Sequence, residues 1–139
     1  MRCLGLDLGT KTLGISMSDE NAIIASTYKT IRFDENQEES AIPELKSIIA
    51  EFNIGTIVLG LPKNMNNTIG PRGEACIKYG EILKERLNIP VEMQDERLST
   101  VAAHNYMLQA DMSRKKRKEK VDSLAANIIL QSYLDRKGK

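Results

Sequence analysis

Residues 1–18, MRCLGLDLGTKTLGISMS, decide the fold. A short apolar strand from Cys3 to Leu6 runs into Asp7, Gly9-Thr10-Lys11-Thr12 supply a tight turn, and a second apolar strand starts at Leu13. Burying a carboxylate at the exit of a central strand is costly unless it is paired or coordinates a metal. Facing a turn rich in backbone N–H groups and hydroxyls, with one lysine, Asp7 marks a place to hold a metal ion and a phosphate. Thr10 and Lys11 are the phosphate donors there. The plain alternative is an aspartate that caps its own turn.

Outward from this hairpin the chain reads β-β-β-α-β-α-β-α-α. Strand one covers about residues 2–7, strand two 12–18 and strand three 22–33, with a turn at Asp19-Glu20-Asn21. Ile42, Leu45, Ile48, Ile49 and Phe52 recur at helical spacing. Ser40 is the expected N-cap of that helix, Pro43 falls in its first turn, and Asn53 and Gly55 end it. TIVLG at 56–60 is apolar throughout, as a strand buried on both faces should be. After the loop LPKNMNNTIGP (61–71), a second helix carries Ala75, Tyr79, Ile82, Leu83 and Leu87 and breaks at Ile89-Pro90. VEMQ (91–94) is the fifth strand. A third helix is expected from Ser99 or Thr100 to about Ala110, and a last one with Val121, Leu124, Ala125, Ile128 and Leu134 inward. This order predicts an α/β fold: a mixed five-stranded sheet of three antiparallel strands with two added in parallel, and helices on both faces.

The length of 139 residues suits one domain, 1–139. Hydrophobic residues make 41% of the chain, with no tryptophan and 4% aromatics, which argues against an aromatic platform for single strands. Cys3 and Cys76 form no metal-ligand spacing with each other or with His104, so reduced, buried thiols in a cytoplasmic protein are expected. No apolar run approaches the roughly 18 residues of a membrane span. The net charge of +1 hides an asymmetry. Asp34, Glu35, Glu38, Glu39 and Glu44 fall between residues 34 and 44 without a cation, while RKKRKEK (114–120) holds six cations and one glutamate. A basic end suits a polyanion. The run lacks apolar periodicity, so it reads as a flexible arm or a solvated loop.

If strands one, four and five are parallel, their C-terminal ends share an edge, where ligands bind in open α/β sheets. Asp7, the pair Asp95 and Glu96, and Asp122, expected in the first turn of the last helix, converge there. Carboxylates that would otherwise repel suit two divalent ions roughly 3.5–4 Å apart. Mg²⁺ is the natural ion, hard and oxygen-liganded, with Mn²⁺ as its substitute. Each acid has a plainer role open to it: Asp122 offsetting a helix dipole, Asp95 and Glu96 pairing with Arg97. Lys63, Asn64, Asn66 and Thr68 of the long loop, with Arg72 at the following helix start, offer donors to phosphates. So do Arg97 and the cations Arg114, Lys115, Lys116 and Arg117.

Four blocks, DLGTKTLGISMSD, GLPKNMNNTIGPRGE, DERLST and RKKRKEKVDSLAANIIL, resemble in order those of the YqgF/RuvX family. These are RNase H-like nucleases, described as Holliday junction resolvases and as nucleases processing the 5′ end of the small-subunit ribosomal RNA precursor. The resemblance implies an RNase H-like fold, metal-dependent phosphodiester hydrolysis and a nucleic-acid partner, either that precursor or branched DNA. It implies acidic positions at Asp7, at Glu96 with Asp95 as rival, and at Asp122. A monomer or a homodimer is compatible with it. Asn67 and Gly73 depart from the family's usual Gly and Ala, away from the acids. The opening hairpin also resembles the phosphate hairpin of the sugar-kinase, Hsp70 and actin superfamily, which needs two such domains to close on ATP. A non-catalytic nucleic-acid-binding module is the third reading, and loss of an acid would favour it.

Overall fold

The computed structural model describes residues 1–62, 68–95 and 114–137, with 114–123 described by their backbone alone. Strands β1 (Arg2–Leu8), β2 (Thr12–Ser18) and β3 (Ala25–Arg32) form an antiparallel meander. A 3-10 turn (Glu38–Ala41) leads into α1 (Ile42–Phe52), then β4 (Ile54–Leu61), α2 (Pro71–Leu87), β5 (Val91–Asp95) and α3 (Arg114–Lys137). The sheet order is β3-β2-β1-β4-β5, with β4 parallel to β1 and β5 parallel to β4. The expected mixed sheet is therefore present. The helix expected near 99–110 lies outside the described residues, as do Lys63, Asn64, Asn66, Glu96, Arg97 and His104.

Strand alternation sorts side chains onto two faces. Leu4, Leu6, Leu8, Leu13, Ile15, Met17, Ile57 and Leu59 pack against Leu45 and Ile48 of α1 and Cys76, Tyr79 and Leu83 of α2. The other face carries small residues: Cys3 and Gly5 on β1, Gly14, Ser16 and Ser18 on β2. Here α3 lies close, with Ile129, Leu130, Tyr133 and Leu134 clustered on Cys3 and Val58. A Cβ on Gly5 would stand 2.6 Å from Leu130 Cβ and 2.9 Å from the Ala126 carbonyl oxygen. Ser16 Oγ donates to that same oxygen at 2.8 Å. Both cysteines are buried and unbridged, and burial pushes the Cys3 thiol up.

Several local expectations are corrected. Strand three starts at Ala25 and not at 22, because the Asp19 carboxylate accepts the N–H groups of Ile23 (2.7 Å) and Ile24 (2.9 Å) and holds that stretch as a loop. Ser40 does not cap α1. It lies in the 3-10 turn and donates to Gln37 O, and Ala41 stands at the cap position without a side-chain bond. Asn53 ends α1 in the left-handed conformation, as expected, but Gly55 belongs to β4. The basic run is not a non-helical arm. Its backbone forms the first turns of α3, which the high helix propensity of Lys, Arg and Glu permits. Asp122 therefore sits in the third turn rather than the first, and no acid occupies the first turn. The inward face of α3 is rotated from the one expected. Ala126, Ile129, Leu130 and Tyr133 are buried beside Ala125 and Leu134, whereas Leu124 and Ile128 are only half-buried.

The two bonds to Asp19 predict a pH effect. They hold its carboxyl below the usual carboxylate range. A carboxyl whose pKa is lower in the folded than in the unfolded chain adds stability above the unfolded value of about 3.9, and that stability is lost as pH falls through the folded pKa. Asp19→Ala should lower the melting temperature at pH 7, with the gap to wild type closing in acid. An equal gap at pH 7 and pH 3 would contradict this.

Candidate active site

The register places Asp7 opposite Gly14 of β2. On its other side Leu6 pairs Leu59, so Asp7 is level with Gly60, and Gly60 pairs Gln94 of β5. One row across the sheet thus reads Gly14, Asp7, Gly60, Gln94. Gly5 and Val58, two residues back, belong to the face covered by α3, and alternation keeps Asp7 on that face.

α3 runs antiparallel to β1. Gln131 is fastened beside β3, accepting from the Ala25 N–H (2.8 Å) and donating to Ile23 O (3.0 Å), and Ala25 pairs Ser18. One level along the sheet, Ala126 and Leu130 oppose Gly5 and Ser16. The next level is Asp7 with Gly14. Two strand residues and one helical turn cover similar lengths, about 6.6 and 5.4 Å. One turn before Ala126 is Asp122. By this count backbone position 122 falls level with Asp7 along the sheet.

Asp95 is placed differently. It pairs Leu61, and Val91, Met93 and Leu61 pack on the α1–α2 core, so Asp95 falls on that face. Glu92 confirms the parity of β5, because the Tyr133 hydroxyl of α3 bonds its carboxylate. Thr10 and Lys11 are exposed in the hairpin turn, which the Gly9 N–H closes on Thr12 O at 2.8 Å. Arg72 reaches this edge from the other face, donating to the Leu8 carbonyl at 2.9 Å. It lines a small cleft with Gly9, Thr10, Asn36 and Glu38. Thr68 is described but remote in sequence from the row, and the other loop donors lie outside the described residues.

The residues of this edge fit a hard, oxygen-liganded cation. Asp7 has a glycine on either side in its row, so no side chain of the neighbouring strands flanks it there. Gln94 Oε1 is buried and has no hydrogen-bond partner among the described residues. Among the described residues no three Asp, Glu, His or Cys side chains stand together as a ligand set; Glu96 and the Asp122 side chain lie outside them. Gly14 and Gln94 escaped the sequence reading, whereas Gly60 was expected as the end of strand four. Gly14 had a signal, the alternation of large and small residues in LGISMS; Gln94 had none in its own stretch.

A sheet of this order with an acid ending its central strand and a helix closing over it defines the RNase H-like class. The chain belongs to the family described as "RuvX: Holliday junction resolvase", whose model matches residues 1–136. A Bacillus cytotoxicus protein named "Putative pre-16S rRNA nuclease" is 52% identical over 137 residues, covering 99% of this chain and 100% of the relative. A Geobacillus sp. protein of the same name is also 52% identical, over 99% of each. Among solved structures, a fowlpox virus resolvase bound to Holliday junction DNA superposes over 100% of both chains (TM-score 0.61, 12% identity). Thermus thermophilus RuvC bound to a Holliday junction covers 99% of this chain and 97% of its own (TM-score 0.57, 16% identity). At such identities these two structures speak for the fold alone.

Proposed function

We propose that this chain is a single RNase H-like nuclease domain, 1–139, that hydrolyses phosphodiester bonds of structured nucleic acid in the bacterial cytoplasm. Its foremost substrate in this reading is the precursor of the small-subunit ribosomal RNA. What supports it is the family match together with the register of α3 on the sheet, which by helical count puts backbone position 122 level with Asp7 and its two glycine neighbours. The names of the relatives at 52% identity point to the RNA substrate.

In this reading Asp7, Glu96 and Asp122 hold Mg²⁺, with Mn²⁺ as substitute. Asp95 is set aside because its strand position faces the α1–α2 core. Divalent ions held there would supply Lewis acidity, activating the attacking water and offsetting charge on the leaving 3′ oxygen. The rest falls to the protein. Thr10 and Lys11 offer donors at the exposed turn, Arg72 fixes the end of β1 through the Leu8 carbonyl, and Lys63, Asn64 and Arg97 are further phosphate donors by residue type alone. Arg114, Lys115, Lys116 and Arg117 precede Asp122 on the same helix, so phosphate binding there and the position of Asp122 are mechanically linked.

The family description and the fold of the two resolvases favour a second reading, cleavage of four-way DNA junctions by a homodimer making paired cuts. Product mapping on a precursor transcript and on a four-way junction, with Mg²⁺ and an Asp7→Asn control, decides between them. Cleavage of neither substrate would refute both.

The basic turn carries its own prediction. Changing Arg114, Lys115, Lys116 and Arg117 to glutamine keeps helix propensity while removing four charges. The slope of log K against log salt should become shallower by about 3 for single strands, equally for all sequences. Binding titrations at three salt concentrations check it, and an unchanged slope would make the run a solvated surface.

A further inference from the structure

Gln94 is the last member of the row that contains Asp7. Gly60 stands between them and has no side chain, so nothing on the sheet separates the two across the α3 face. The parity is secured by Glu92, two residues earlier, which bonds Tyr133 of α3. Gln94 Oε1 is buried without a partner among the described residues, although a buried acceptor left unpaired is costly. Such groups in folded proteins commonly serve a catalytic site or meet a water or an ion.

We infer that Gln94 orients the attacking water of the nuclease, its side-chain carbonyl accepting a hydrogen bond from that water beside Asp7. The inference rests on the function proposed above. In the step it serves, the water oxygen forms the new P–O bond, the 3′ oxygen leaves with the electron pair of the broken bond, and a water proton passes to solvent. An amide suits this place better than a fourth carboxylate. It aims the water without adding negative charge next to Asp7, where repulsion already opposes the fold.

The test uses the full chain, a precursor transcript and a four-way junction, with Gln94→Leu, Gln94→Glu and Asp7→Asn compared side by side. Gln94→Leu should lower kcat at least tenfold with little change in KM, while the melting temperature without metal holds or rises. Gln94→Glu keeps an acceptor and should recover most of the turnover. It should also show a larger Mg²⁺-induced rise in melting temperature than wild type, because a carboxylate has been added to Asp7's row. Should Gln94→Leu not fold, Gln94→Met carries the same comparison. Wild-type kcat in Gln94→Leu, or no larger Mg²⁺-induced rise in Gln94→Glu, overturns the inference. If Asp7→Asn is inactive in the same experiment, the nuclease reading survives that failure. If Asp7→Asn cleaves at the wild-type rate, the reading and the inference fall together.

Discussion

Asp7→Asn is expected to cut nuclease turnover by about two to four orders of magnitude while leaving the protein folded. In the proposed site Asp7 is a charged metal ligand, whose loss would remove several kcal/mol of transition-state stabilisation, and each 1.36 kcal/mol is about tenfold in rate. Asparagine keeps the shape of the side chain, so the row Gly14, Asp7, Gly60 is not disturbed sterically. Removing one of several converging acids also relieves repulsion, so the melting temperature without metal should be unchanged or higher. Rates at saturating substrate and melting curves without metal measure the two halves separately. Wild-type turnover would show that the edge at Asp7 is not the centre. Lost turnover with a large fall in melting temperature would make Asp7 a structural residue.

The second large effect is on stability and comes from Gly5. An added methyl there would lie 2.4 Å from Ser16 Oγ, 2.6 Å from Leu130 Cβ and 2.9 Å from the Ala126 carbonyl oxygen. The last two belong to α3, and a backbone carbonyl cannot rotate away as a side-chain end can. Gly5→Ala should therefore push α3 off the sheet at a cost of about 1–3 kcal/mol, the usual range for overpacking. That corresponds to a fall of roughly 4–12 °C in melting temperature for a chain of this size. Because Asp122 lies one turn before Ala126, turnover should fall in the protein that remains folded. Gly55→Ala is the control. Its methyl would meet Cβ and Sδ of Met1, an exposed residue at the first position and not part of a packed helix, so stability should change less than in Gly5→Ala. Equal melting temperatures for Gly5→Ala and wild type would mean that α3 yields without strain.

These two residues show how far a sequence reading reaches. The β-β-β-α-β-α-β order and the parallel addition of β4 and β5 follow from period-two apolar runs, turn residues and helical spacing, all of which are local. Asp7 at the end of a central strand is equally local, and so are the helix ends at Asn53 and Pro71. Which face a residue occupies is not local here. β1 and β4 are buried on both sides, so hydrophobicity does not alternate between water and core, and only the alternation of large with small residues hints at which face is which. Packing decides it: large side chains meet α1 and α2, small ones meet α3, and that parity separates Asp95 from Asp7 and puts Gln94 on the face of Asp7, in the same row. The start and rotation of α3 were hidden for a related reason. Its basic turns carry no apolar stripe, and its buried face is set by the shallow, glycine- and serine-lined surface it covers. Sequence alone thus determined the order of elements and the central acid; the contact of α3 with the sheet decided which distant residues stand beside that acid.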